Sequence, residues 1–458
     1  MNDKPLKLNY KRTFIIGFAF FGILMLWSVY NTYCPSILTE LFKNVLGVTD
    51  EKQVQYIVGV LMACDNIVAL FMLPLFGRLS DNTKSRFGKR MPYIVIGTIA
   101  SVIIFPLIVV MFLANSLVGV IIMLTLTLMF MQMYRNPAVS LMPDVTPKPL
   151  RSKANGIINI VGYVGAILGG ALALIFPFKK DLGIDQPKLL IPFIITSVCM
   201  IVTCAFLFFK VKENKIEVEI ADDLKRGEEE TELIEAVGED KPLSKANKRS
   251  LIILIAALFL WFASFNAVET FWSNYGIYHL NIKSYSMFTI VLTIASLVSF
   301  LPASLVSDKI GRKWTIVIGL GLLVAALVGL IFVGKSSETF VEDGTTYNKP
   351  SVLLYVYFVV AGIGWAFVNC CSYPMVVELA NKKNIGKYTG IYYAASMAAQ
   401  SLTPVVAGLA VYFAGYWNIL FIYSSALMGL ALVVFLFVNN VKSKKSQVKK
   451  GLEAFDQD

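Results

Sequence analysis

Twelve stretches of this chain are too apolar and too long to stay in water. They fall at about 13–40, 52–79, 91–113, 116–141, 153–176, 189–210, 249–279, 284–307, 313–334, 350–379, 386–413 and 417–440. A helix needs about 20 apolar residues to cross the hydrocarbon of a bilayer. Within that hydrocarbon each backbone N–H and C=O must find a partner inside the protein, so runs of this length predict helices. The expected fold class is an all-α membrane protein with twelve transmembrane helices. Several runs exceed about 25 residues, which permits tilt or protrusion. Composition agrees: 57% of the 458 residues are hydrophobic and 16% are charged, against about 25% in a soluble domain.

A formal net charge of +11 would suit a nucleic-acid partner, but the basic residues do not form an aromatic-interleaved soluble face. They crowd alternate loops. With the N-terminus inside, the inner segments hold 32 of the 41 Lys and Arg residues and the outer loops hold 8, leaving Arg135 within a span. A fourfold bias of this kind orients a membrane protein, and it places both termini in the cytoplasm of a multi-pass cell-membrane protein. Nucleic acid is excluded as a partner. The first apolar run is too long for a cleaved signal peptide. Cys34, Cys64, Cys199, Cys204, Cys370 and Cys371 lie in or beside apolar runs, without disulfide or zinc spacing. One histidine, His279, supports neither a histidine metal site nor a Ser–His–Asp enzyme, and no phosphate-cradling loop precedes a lysine. No metal, cofactor or enzymatic activity is expected.

The chain divides into a tail at 1–12, six spans at 13–210, a charged segment at 211–248, six spans at 249–440 and a tail at 441–458. The middle segment contains Lys225-Arg-Gly-Glu-Glu-Glu230. It buries too little apolar surface to fold alone and reads as a cytoplasmic tether. The two sets of spans repeat. After span 2 the sequence runs Gly77-Arg-Leu-Ser-Asp81 and then Arg86-Phe-Gly-Lys-Arg90; after span 8 it runs Leu305-Val-Ser-Asp308 and then Gly311-Arg-Lys313. Asp144 stands twelve residues before Gly156-Ile157, and Glu378 twelve before Gly390-Ile391. The offsets, 227 and 234 residues, agree closely. Duplicated six-span halves are a common plan of secondary transporters.

These loops resemble the cytoplasmic signature of the major facilitator superfamily. Pro74 through Gly77, Asp81, Arg86-Phe-Gly88-Lys-Arg90 and Pro92 are similar to the glycoside–pentoside–hexuronide:cation symporters and the related sucrose–proton symporters. Tyr134-Arg135-Asn-Pro137, Pro143-Asp144-Val-Thr-Pro147 and Arg151-Ser-Lys-Ala-Asn155 fit the same group. The resemblance implies two pseudo-symmetric six-helix bundles and a central pathway lined by spans 1, 4, 7 and 10. Melibiose-type members carry Asp just before the span 2 proline and a turn earlier. Here those positions are Leu73 and Ala69, which disfavours a sodium site and favours a proton.

Ionisable groups inside a span usually face the bundle interior. Asp65 and Glu269 are the proton-coupling candidates. Residues three or four apart share a helix face, and such spacing groups the substrate-binding candidates: Trp27, Tyr30 and Asn31; Gln132, Arg135 and Asn136; Asn266 with Glu269 and Ser273; Trp365, Asn369 and Tyr373; and Gln400, one turn from Ser396. Amides and aromatic rings suit a sugar, whose hydroxyls need partners and whose apolar faces stack. Asp81, Arg90, Asp144, Arg151, Asp308, Arg312 and Glu378 are expected as cytoplasmic gate contacts. Gly162, Gly165, Gly169 and Gly170 predict close helix packing. The expected function is proton-coupled symport of a sugar or glycoside by alternating access, in a monomer. The alternative is a major facilitator exporter or carrier of another small or amphipathic solute.

Overall fold

The computed structural model describes residues 6–236, 245–342, 344–380 and 385–439. The side chains at 65, 70, 152, 231–236, 377–378 and 385–386 lie outside that description. Asp65, Glu378 and the 441–458 tail are therefore not placed.

Twelve described helices are long and apolar enough to cross a membrane. The first six are α1 (Tyr10–Leu46), α2 (Gln55–Asp81), α3 (Met91–Leu113), α4 (Leu117–Asp144), α5 (Arg151–Ile175) and α6 (Leu190–Lys210). Two shorter helices follow, α7 (Glu213–Glu219) and α8 (Ala221–Ala236). The second set is α9 (Lys245–Asn274), α10 (Tyr285–Ile310), α11 (Arg312–Ile331), α12 (Val352–Leu379), α13 (Ile385–Ala414) and α14 (Ile419–Leu436). A π-helical turn at Tyr275–His279 extends α9. The helix ends follow local chemistry. Asn9 accepts from Arg12 N–H at the start of α1, and Gly47 ends that helix at φ +66°. Ser116 and Ser351 cap α4 and α12.

The halves repeat their packing. α1 lies on α5 and α6, α3 on α4 and α6, and α2 on α4. In the second half α9 lies on α13 and α14, α11 on α12 and α14, and α10 on α12. Between halves α2 meets α13 and α5 meets α10, which are equivalent pairs under a twofold exchange. Gly162, Gly165 and Gly169 turn towards α1, while Gly170 faces Ile290 of α10. This is the twelve-helix, two-bundle architecture expected from the duplication.

At one end of the bundles, termed the tail face, Lys153 sits 5.5 Å from the Tyr10 ring. Arg12 there donates to the Val145 carbonyl at 3.1 Å, and Asn439 N–H reaches Ser250 Oγ at 3.1 Å. At the opposite, far face, Tyr33 OH donates to the Phe176 carbonyl at 2.7 Å. The far face also carries a feature that hydropathy did not foreshadow. Strands β1 (Thr339–Glu342) and β2 (Thr345–Asn348) form an antiparallel hairpin between α11 and α12. It is tied to the α9–α10 loop by Asn348 N–H to Asn281 O at 2.9 Å and Asn281 Nδ2 to Thr346 O at 2.8 Å.

The tether reading of 211–248 needs correction over 213–236. That stretch does not fold alone; it folds against the first bundle. Glu213 is buried and accepts backbone N–H bonds from Lys89 at 3.1 Å, Arg90 at 3.0 Å and Met91 at 3.3 Å. It thereby satisfies the open N-terminus of α3. Asn214 donates to the carbonyls of Ser85 and Arg86. Ile216 and Ile220 are buried, and Gly227 of α8 lies beside Pro147 and Pro149.

Candidate functional site

A cavity of about 260 Å³ lies between the halves. On α1 the spacing of Trp27, Ser28, Asn31 and Thr32 turns one face towards it, and α9 presents Phe265, Glu269, Trp272 and Ser273 in the same way. Tyr163 enters from α5, Thr289 and Thr293 from α10, and Phe358 from α12. Glu269 is exposed to the cavity, though protein surrounds it. Asn266 lies one turn away on α9, and Glu269 is within electrostatic reach of Tyr163. Among the described lining residues Glu269 is the one formal charge. Hydroxyls, one amide and five aromatic rings make up much of the remaining wall.

Of the residues singled out from the sequence, Trp27, Asn31 and Glu269 line this cavity, and Asn266 lies one turn from Glu269 on α9. The others lie behind the wall or elsewhere. Tyr30 packs edge-on to Trp27, with centroids 5.5 Å apart. Arg135 lies 5.9 Å from the Trp27 ring centroid, outside the lining. Trp365 stacks on Phe265 at 3.8 Å and so supports the wall from behind. Gln132 is wholly buried, and neither amide atom has a hydrogen-bond partner among the described residues. Asn136 donates to the Leu73 carbonyl and joins α4 to α2. Asn369 bonds back to the Trp365 carbonyl at 2.9 Å. Tyr373 joins a cluster with Tyr392 and Tyr393. Gln400 offers its backbone carbonyl to Asn66 at 3.4 Å.

Sequence reasoning missed a set of residues between the cavity and the far face. Asn274 is fully buried. Its Nδ2 donates to Thr39 Oγ1 and Gln55 Oε1, each at 2.9 Å, and its Oδ1 accepts from Ser36 Oγ at 2.9 Å. Ser36, Thr39 and Gln55 belong to the first half and Asn274 to the second, so this knot crosses the interface. Nearby, Tyr278 OH donates to Glu40 Oε1 at 2.7 Å and Trp417 Nε1 to Glu51 Oε1 at 2.9 Å. Backbones approach closely in the same half of the molecule. A Cβ on Gly59 would lie 2.1 Å from the Pro404 carbonyl oxygen, and one on Gly408 would lie 2.4 Å from the Gln55 oxygen. The halves are therefore shut against each other on the far side of the cavity. The available signal was neutral polar residues near span ends, which resemble ordinary boundaries.

At the tail face the gate candidates behave unequally. Arg90 bonds Asp144 at 2.8 Å and Ser80 at 2.6 Å and pairs with Asp81, while Lys89 reaches Asp144 at 3.3 Å. All of this lies within the first half. Arg151 Nε bonds the Thr146 carbonyl at 3.2 Å. Asp308 is exposed, and Asp308 and Arg312 both lie within electrostatic reach of Cys370.

A family model described as the Major Facilitator Superfamily matches residues 13–342 and, separately, 276–455. A lactose permease from Lactobacillus helveticus is 34% identical over 84 residues, which is 18% of this chain and 12% of the permease. That match spans far less than two thirds of the permease. Among solved structures, the inward-open xylose transporter XylE from E. coli has a TM-score of 0.65 at 14% identity, covering 97% of this chain and 98% of the other. A variant of the nucleoside transporter NupG has a TM-score of 0.65 at 13% identity, covering 93% and 99%. A peptide transporter of the POT family has a TM-score of 0.63 at 13% identity, covering 93% of each chain. At these identities the likeness is one of fold.

Proposed function

Since this chain belongs to the major facilitator superfamily, we propose that it is a proton-coupled symporter of a sugar or glycoside. The observation that carries this reading is the cavity between the halves, where one carboxylate sits among hydroxyls, an amide and aromatic rings. The rings of Trp27 and Trp272 can stack on the apolar face of a sugar. Asn31, Thr32, Ser273 and Thr293 can meet its hydroxyls. Glu269 can accept a substrate hydroxyl and hold the coupled proton, and buried carboxylates readily exchange protons when their surroundings change. The partial match to a lactose permease supports the substrate class, and the loop motifs support a place among the glycoside–pentoside–hexuronide symporters.

In this reading the tail face is cytoplasmic, the protein sits in the cell membrane, and it works as a monomer. The closed far face is then the outer gate, and rocking of the halves exposes the site alternately. The cluster of Asp81, Arg90 and Asp144, with Arg151, Asp308, Arg312 and Glu378, belongs to the inner gate. Asp65 remains a second coupling candidate and Arg135 a substrate-side cation.

Uptake into proteoliposomes tests the reading. A panel of labelled mono- and disaccharides is offered with and without an inward proton gradient. At least one sugar should accumulate with the gradient and only equilibrate without it. Sugar entry indifferent to the gradient would overturn the proton assignment. Entry of none of them would favour the carrier of another small or amphipathic solute.

A further inference from the structure

Glu269 is the one formal charge among the described residues lining the cavity, and that determines which substrates can neutralise it. A neutral sugar brings no charge, so under the reading above the carboxylate takes up a proton before the site crosses the membrane. An ammonium group on the substrate would do the same work. Five rings, those of Trp27, Tyr163, Phe265, Trp272 and Phe358, share the wall with the carboxylate. Aromatic faces attract cations, most strongly where water is excluded. The volume of about 260 Å³ lies just below the range of about 300–1,000 Å³ typical of sites for drug-sized ligands. It therefore suits one sugar ring rather than a chain of them. The neighbours of Glu269 do not supply the missing charge. Asn266 on its own helix is neutral, Tyr163 of α5 is the other titratable lining group, and the lining from α1, α10 and α12 does not ionise. Arg135 of α4 stays behind Trp27.

We propose that this site accepts hydroxylated ammonium compounds of monosaccharide size, amino sugars above all, with the substrate ammonium replacing the coupled proton on Glu269. This rests on the sugar-symporter reading. The ammonium N–H donates to the ionised carboxylate, and the proton that a neutral sugar requires stays in solution. Each cycle then moves one positive charge either way, but only the neutral sugar moves a proton. Solutes bearing a carboxylate or phosphate are rejected, because they would place two negative charges in one enclosed space.

The test uses purified full-length protein and its tryptophan fluorescence, since Trp27 and Trp272 line the cavity. Galactose, glucose, galactosamine, glucosamine and glucuronate are titrated between about pH 5 and 7, below the range of about 7.7–8.0 in which an amine beside electron-withdrawing groups loses its proton. At about pH 7 a hexosamine should bind at least about tenfold tighter than its neutral parent, the scale of one hydrogen bond to a charged group. Its binding should strengthen as pH rises, while that of the parent weakens. Glucuronate should not bind. In proteoliposomes hexosamine entry should follow membrane potential without alkalinising the medium. Glu269→Gln should erase the preference for the amine, so that hexosamine and parent bind within a few fold of each other. Should that variant fail to fold, the opposed pH trends in the unaltered protein decide the matter. Equal or weaker hexosamine binding, parallel pH trends or binding of glucuronate would overturn the proposal while leaving sugar symport intact. Binding of none of the five overturns the sugar reading itself.

Discussion

Glu269 and Asn274 stand five residues apart on α9 and do different work. Glu269 opens into the cavity, whereas Asn274 is buried in the far-face knot. Replacing Glu269 by Gln keeps the shape and removes the proton site. We expect counterflow exchange of preloaded sugar to persist while gradient-driven accumulation is lost; accumulation at the original level would move coupling elsewhere, with Asp65 next in line. Asn274→Ala leaves Gln55 Oε1 and Ser36 Oγ with unmet bonds in the closed state, while Thr39 keeps those to Pro35 and Gln55. Such a loss costs about 1–3 kcal/mol, which lowers the closed-to-open ratio by roughly 5- to 150-fold. Spin labels on the far-face loops at Gln53 and Ser337 should report longer distances in this variant. What the sequence revealed at this scale depended on charge. Glu269 was legible because a carboxylate amid apolar residues is costly in hydrocarbon and points to the bundle interior. Asn136, Asn369 and Gln400 were assigned to the pathway by helical spacing, yet a polar side chain in hydrocarbon can equally well bond a backbone carbonyl, as Asn136 and Asn369 do.

The helices themselves were legible because bilayer thickness fixes their length and hydropathy marks their course. Their contacts were less so, since closeness depends on which small residue meets which backbone. Gly59 and Gly408 are such positions between α2 and α13, where an added Cβ would meet carbonyl oxygen. Gly59→Ala or Gly408→Ala should hold the far face ajar, with slower transport and higher accessibility of a cysteine placed at Ser36 to hydrophilic reagents; unchanged accessibility would argue that α2 and α13 part elsewhere. The docked helix α7 escaped notice because a count of charges hides the destination of a single one. Burial pushes the Glu213 carboxyl above the ordinary carboxylate range, and the N–H groups of Lys89, Arg90 and Met91 offset this only in part. A carboxyl raised in the folded state adds stability that fades as pH rises through the raised value. Amide protection at 89–91 should therefore decline with rising pH above the carboxylate range. In Glu213→Gln, which keeps an acceptor and does not titrate, the decline should vanish.

The whole molecule is a twofold arrangement shut at one end. Its symmetry was visible in the loop repeats, and the packing obeys it, but no repeat could say which end is closed. That depends on Ser36, Thr39, Gln55 and Asn274, which have no charge to betray them. Cysteines placed at Ser36 and Asn274, in a background without the six native ones, stand where side-chain atoms are 2.9 Å apart across the halves. A short thiol cross-linker should join them and stop transport, and cleaving the link should restore it. Substrate should still bind from the tail face in the linked protein. Transport that continues while linked would mean that this seam does not open during the cycle.

The uncharged character of that knot has a further consequence. Dissolved salt weakens attraction between exposed charges over a Debye length of about 10 Å at 0.1 M, but it has little purchase on buried amides and hydroxyls. The Asp81 carboxylate paired with Arg90 at the tail face is 57% exposed and does feel it. A rise in salinity therefore acts on that pair, and on the exposed Lys349–Glu338 and Lys283–Glu342 pairs of the far-face hairpin, but hardly on the knot. The seam made by Ser36, Thr39, Gln55 and Asn274 should hold as firmly in brine as in fresh water.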